Sequence, residues 1–225
     1  MQPLTMLVMV LPFLLAYEVG SVLFLSHSDV GLIAENLLIE LFAKFGVVGR
    51  HLPALTLVLA LGFWHLFSRQ PHRVHGRAMA IMSVESVMWA LPLFVISYLI
   101  PSAPAAGGAF EGHSLGARLT IAIGAGLYEE LVYRMIGILL LHLILADVCR
   151  MKDHLARLIA VAVTALIFAL SHNLRTEADL LDPALFTFYL IAGGYFGILY
   201  LSRGYAIVAM AHVWYDVIVL GILGA

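Results

Sequence analysis

Three short polar clusters interrupt a chain that is otherwise almost wholly apolar: Glu129-Glu130 with Arg134, Phe168 with His172, and His212 with Asp216. Each lies within or at the end of a run long enough to cross a bilayer. A charged side chain at membrane depth costs about 2.5–3.5 kcal/mol on insertion scales, so such residues carry a functional hypothesis. Three carboxylates and two imidazoles on separate spans are the parts of a buried hydrolytic site. Adjacent helical residues point about 100° apart, so Glu129 and Glu130 face different surroundings. Arg134 stands four residues after Glu130, the spacing at which helical side chains meet. A Glu130–Arg134 pair lowers the cost of both charges and leaves Glu129 free for chemistry. Phe168 shares a face with His172 and can wall a cavity. His212 and Asp216 are again four apart, so the carboxylate can orient the imidazole or act directly. The bland readings are an ion-pair clamp, an interfacial histidine and a buried packing hydrogen bond. None of them explains the second glutamate or the conjunction of all three clusters.

Composition sets the frame. Of 225 residues, 63% are hydrophobic and 12% charged, against about 45–50% and about 25% in soluble domains. The expected fold class is all-α: a polytopic transmembrane helical bundle of about seven spans plus an interfacial amphipathic helix. One membrane domain over 1–225 is expected, with 1–100 as N-terminal spans without a motif and 118–220 as the catalytic core. The spans are Leu4–Leu25, Leu52–Phe67, Ala78–Ile100, Arg118–Val148, Leu155–His172, Pro183–Leu201 and Tyr205–Leu223. Gly31–Gly49 has charges among apolar residues at helical spacing and is expected to lie in the interface. The first span lacks a basic start and a small-x-small cleavage site, so it is expected to be retained. No repeat and no soluble domain is apparent. Gly193 and Gly197 form a Gly-x-x-x-Gly step that admits a neighbouring backbone.

The single Cys149 excludes a disulfide framework and a thiolate zinc site. No basic tract points to nucleic acid. Arg69, Arg73 and Arg77, then Arg150, Lys152 and Arg157, then Arg203 all fall on one side of an alternating bundle. That side is expected to be cytoplasmic, with the N-terminus inside and the C-terminus outside. The 101–117 loop and the acidic 173–183 loop, with Glu177, Asp179 and Asp182, are then exterior. Lys44, Arg50 and His51 fall outside by the same count, against the rule. Depth along the spans places the clusters in the middle to outer half of the bilayer, with His172 near its own span's outer end. A tilted or bent span is expected to bring it in. His65, His72 and His75 read as interfacial, and Tyr128 and Tyr133 as packing residues. Glu18, Glu85 and His142 have no partner at motif spacing.

The order Glu-Glu-x-x-x-Arg, Phe-x-x-x-His and His-x-x-x-Asp on successive spans resembles the CPBP family. Its members are the CAAX prenyl proteases and bacteriocin-processing enzymes, also called Abi proteins. The resemblance covers about residues 118–220. It implies intramembrane endopeptidase activity on a membrane-anchored protein or peptide, within the lipid bilayer, a bacterial inner (plasma) membrane being expected. It implies Glu129 as the catalytic glutamate, Glu130 and Arg134 as its supporting pair, and His172 and His212 as site histidines. Asp216 matches a position that is often Asn in the CAAX enzymes. Cofactor use stays open. No cofactor is required if Glu129 acts as general base while His172 and His212 hold water and oxyanion. Alternatively Glu129, His172, His212 and Asp216 can hold Zn²⁺ with an open water position. The other function classes are a non-catalytic membrane immunity or scaffold protein, and a proton-coupled transporter.

Overall fold

The computed structural model describes residues 2–26, 32–70, 72–100, 112–176 and 179–223. The helices are α1 (Pro3–Phe24), α2 (Ile33–Ala43), α3 (Leu52–Ser68), α4 (Gly76–Leu99), α5 (Leu115–Glu129), α6 (Leu139–His142), α7 (Asp153–Leu170), α8 (Pro183–Arg203) and α9 (Tyr205–Asp216). From Glu130 to Ile138 and from Leu143 to Val148 the helix widens to the π form. Leu115–Val148 is thus one unbroken rod of 34 residues. A straight α-helix of that length would span about 51 Å at 1.5 Å per residue, and even with the smaller rise of its π stretches the rod exceeds the roughly 30 Å hydrocarbon core. A further π-helical stretch, Val217–Leu223, prolongs α9.

The fold is all-helical, and among the described residues six helices are long and apolar enough to cross a membrane; α3, with 17 residues, is a shorter apolar helix. This matches the expected polytopic bundle. The apolar runs form helices because a bilayer offers no water to satisfy backbone N–H and C=O groups. Local signals set the ends. Ser114 caps α5 by accepting from Ala117 N–H. Asp182 caps α8 by accepting from Ala184 and Leu185 N–H, with Pro183 at the first turn. Gly204, at φ +80°, alone separates α8 from α9. That conformation strains any residue with a Cβ.

α9 sits at the centre and packs against α1, α4, α5 and α8. It is the most buried of the candidate spans. Gly126 brings α5 against α9: a Cβ there would lie 2.6 Å from Val213 N and 3.0 Å from Ala209 O. Gly193 and Gly197 let α8 close on α7, where added Cβ atoms would meet Ala165 and Val161.

Met6 of α1 and Trp64 of α3 border Gly204. The start of α1, the end of α3 and the α8–α9 turn therefore share one end of the bundle. At the other end Phe24 meets Gly116, and Leu119 meets Gly221.

The interfacial expectation for 31–49 changes in detail. Helix α2 is shorter, and Gly31 lies outside the described residues. Its Glu35 turns inward to accept from Tyr17 Oη at 2.5 Å, while Ile33, Leu37 and Leu41 form an exposed apolar row. Two of the basic residues that broke the charge rule have partners on α1. Arg50 reaches Ser21 Oγ at 3.3 Å, and His51 pairs with Glu18.

The other polar residues without motif partners are also paired. Arg203 holds both carboxylate oxygens of Glu85, at 2.5 and 2.6 Å, and His142 lies 2.9 Å from Asp153. His65 is buried, with its Nε2 2.6 Å from His72 Nδ1. Residues 101–111 and Glu177, on which part of the exterior-loop expectation falls, lie outside the described residues.

Candidate active site

Glu129 ends the α-helical part of α5, and the π form begins at Glu130. Single π turns inside α-helices occur often at functional sites. The two glutamates diverge. Glu130 is fully buried, and its Oε1 lies 3.0 Å from Arg134 Nη1 and 2.8 Å from His212 Nδ1. Glu129 instead borders a cavity of about 210 Å³, shared with Phe168, His172, Tyr189, His212 and Asp216. Among the described residues no protein group hydrogen-bonds Glu129.

His172 does not close a helix, as the sequence reading expects. Helix α7 stops at Leu170. Ser171 Oγ and His172 Nδ1 both donate to the Phe168 carbonyl, each at 2.7 Å. Side chains that take a terminal carbonyl this way compete with the helix and end it. His172 therefore reaches the cavity from the turn beyond α7, with its Nε2 3.9 Å from Glu129 Oε2.

His212 projects from α9 into the same place. Its Nε2 is also 3.9 Å from Glu129 Oε2, and 3.5 Å from Asp216 Oδ2. A carbonyl and a carboxylate only accept, so both Nδ1 atoms carry protons. Both imidazoles thus present Nε2 to one carboxylate oxygen. A gap of 3.9 Å exceeds a direct hydrogen bond, and suits a water bonded at about 2.8 Å to each side.

Phe168 is buried behind the histidines. Its ring centroid lies 4.2 Å from the Arg134 guanidinium carbon and 4.6 Å from the His172 ring. Arg134 is 1% exposed and also reaches the Gly193 carbonyl at 3.4 Å. A guanidinium so deep in apolar surroundings needs its carboxylate and its aromatic faces together.

Sequence reading missed α8 as a positioning element. Tyr189 stacks on His172, with ring centroids 3.8 Å apart and planes at 24°. Phe196 stacks on His212 at 4.7 Å and 24°. The two aromatics are seven residues apart, two helical turns, and so share one face. That spacing was the available signal. In an apolar span it looks like ordinary packing.

The residues do not form a metal centre as placed. Among the described residues no group of three His, Cys, Asp or Glu is set to hold one ion. Tetrahedral zinc with bonds of 2.0–2.1 Å needs ligand atoms about 3.3 Å apart, and both imidazoles stand farther than that from Glu129 Oε2.

The fold and the site together define an integral membrane protein with carboxylates and imidazoles gathered inside a helical bundle. Residues 111–218 match the model of the Rce1-like family, described as type II CAAX prenyl endopeptidase Rce1-like. The resemblance to the CAAX proteases is thereby borne out, and that family is a protease family. The match runs from just before α5 through α9 and contains all of the candidate site residues, Glu129 to Asp216. No curated protein and no solved structure matches the chain.

Proposed function

We propose that the protein is an intramembrane endopeptidase that hydrolyses peptide bonds of membrane-anchored proteins or peptides with water activated by Glu129. One observation carries this reading: the Nε2 atoms of His172 and His212 both stand 3.9 Å from the same oxygen of Glu129, at the wall of an apolar cavity. Glu129 is the general base. The imidazoles hydrogen-bond the water, one accepting its second proton and the other donating to its oxygen, and so fix its position. Asp216 orients His212. Glu130 and Arg134 are supporting groups, the first holding His212 Nδ1 and the second underlying Phe168.

The cavity's apolar wall includes Leu93 of α4 and Ile121 of α5, which suits an apolar segment entering from the bilayer. His172 lies at the end of the bundle opposite the basic Arg203–Gly204 turn. With the basic end cytoplasmic, the site opens towards the exterior and the N-terminus is inside.

The test is cleavage by purified protein in proteoliposomes. Wild-type protein is expected to cleave an internally quenched peptide carrying one apolar, bilayer-length segment, chosen from a pool of such peptides. Glu129→Gln keeps the size but cannot take a proton, and is expected to lower the rate about 10²–10⁴-fold with insertion intact. Near-normal cleavage by well-folded Glu129→Gln protein overturns the assignment.

A further inference from the structure

A substrate held in the bilayer has to reach the cavity from the side, and the helices around it are not equally closed. Gly126 brings α5 against the α9 backbone, and Gly193 and Gly197 bring α8 against α7. α4 has no glycine contact of this kind. Its one glycine, Gly76, stands at its start, and a Cβ there would meet nothing within 4 Å. Yet α4 supplies Leu93 to the cavity wall, as α8 supplies Phe188 and Ala192.

α4 is held to α8 along one half only, the half nearer the α8–α9 turn. Arg203 binds both carboxylate oxygens of Glu85, and Tyr195 Oη donates to the Trp89 carbonyl at 2.6 Å. Among the described residues no hydrogen bond or ion pair joins the two helices beyond Trp89. A step forward from Glu85 to Trp89 answers a step back from Arg203 to Tyr195, so the helices run antiparallel. Two turns beyond the last tie, Ile96 of α4 and Phe188 of α8 come level. Between the helices there stands Tyr215 of α9, its ring centroid 4.9 Å from that of Phe94 and 6.3 Å from that of Phe188. Aromatic side chains, rather than backbone contacts, close this stretch. Tyr215 also lines the cavity, so the gap it fills leads into it.

Three residues past Trp89, Pro92 stands inside α4. It has no N–H for the Met88 carbonyl, so the helix is weakest between its tied and its free half. Pro92 and Ile96 also border an apolar hollow of about 570 Å³ on α4, with Leu91 and Val95.

Resting on the protease reading, we infer that the substrate's apolar segment docks along the free half of α4 and enters between α4 and α8. Residues 93–99, swinging on Pro92, are the gate. The occupant is apolar because the path is: Val95 and Ile96 outside, Phe94 and Phe188 at the gap, Leu93 within. The ties at Glu85 and Trp89 keep α4 in register while its free half moves.

In a Cys149→Ser background, Ile96→Cys with Phe188→Cys permits α4 and α8 to be joined by a reducible bifunctional thiol reagent. With the proteoliposome peptide above, linking is expected to lower kcat/KM about tenfold or more against the same protein before linking, because the open state becomes rare. Reduction is expected to restore it. Phe24→Cys with Gly116→Cys, which touch where α1 meets α5, is the control, and its rate is expected to survive linking. Pro92→Ala, which returns the missing N–H, is expected to raise the thermal midpoint and lower kcat/KM about 2–10-fold. An α4–α8 link that leaves the rate unchanged overturns the inference, as does an equal loss on linking α1 to α5. Should the α4–α8 pair be inactive before linking, Pro92→Ala decides: a raised midpoint with wild-type kcat/KM overturns the gate. If Glu129→Gln is inactive while the linked protein is fully active, the route fails and the protease reading stands. If wild-type protein cleaves no peptide of the pool, or Glu129→Gln remains active, the protease reading fails and this inference fails with it.

Discussion

His212 donates from Nδ1 to Glu130 Oε1 at 2.8 Å, joining residues 82 apart in the chain. That same oxygen is the one 3.0 Å from Arg134 Nη1. Glu130 thus ties α9 to the π-helical segment after α5, and is occupied in a way that Glu129 is not. The division of labour between the adjacent glutamates follows from which helix each one faces.

Removing one member of this group strands another charge in an apolar interior. Glu130→Ala and Arg134→Ala are each expected to cost about 3–5 kcal/mol of stability and to lower the yield of folded protein. Thermal unfolding in detergent checks it. Unchanged midpoints for both variants would show that the pair does not hold the bundle.

Asp216 is expected to orient His212 without needing charge. Asp216→Asn keeps an oxygen that accepts a hydrogen bond and should retain most of the activity. Peptide cleavage measured with and without a chelator checks both points. Chelator-sensitive wild-type activity restored by zinc would make the protein a metalloprotease. Asn at that position would then weaken the metal about 10–100-fold if Asp216 acts behind the ligands.

Gly126→Ala is expected to destabilise the protein by about 1–3 kcal/mol, because the new Cβ meets backbone rather than a movable side chain. Gly62 is the control: a Cβ there meets nothing within 4 Å, and Ala in a helix interior is favoured over Gly by about 0.5–1 kcal/mol. Opposite shifts of the two midpoints in one detergent are the expected result.

Ser114→Cys in a Cys149→Ser background is expected to react with an impermeant thiol reagent added from outside intact cells. Labelling only after permeabilisation would invert the topology and place the site towards the cytoplasm.

The helices were legible because apolar runs bounded by Pro, Gly and basic residues have few alternatives in a bilayer. Asp182, Pro183 and Gly204 mark the limits of α8 directly. The grouping of Glu129, His172, His212 and Asp216 around one cavity was also legible, since ionisable residues at membrane depth have few places to go. What stayed hidden depends on contacts between distant segments. Nothing near Glu18 announces His51, and nothing near Glu85 announces Arg203. Tyr189 and Phe196 look like packing until α7 and α9 bring His172 and His212 under their rings. The widening at Glu130 is not legible either, since the apolar pattern runs through it without a break.

The central position of α9 bears on how the protein is made. α9 leaves the ribosome after α1, α4, α5 and α8, the helices it packs against. Until it inserts, Glu129 and Glu130 lack the His212 imidazole that both face in the finished fold. Gly204 shortens that interval, since a one-residue reversal delivers α9 beside α8 as soon as it emerges. On the protease reading, the site stays incomplete until α9 enters the membrane, so a nascent chain would be inert towards its neighbours until then.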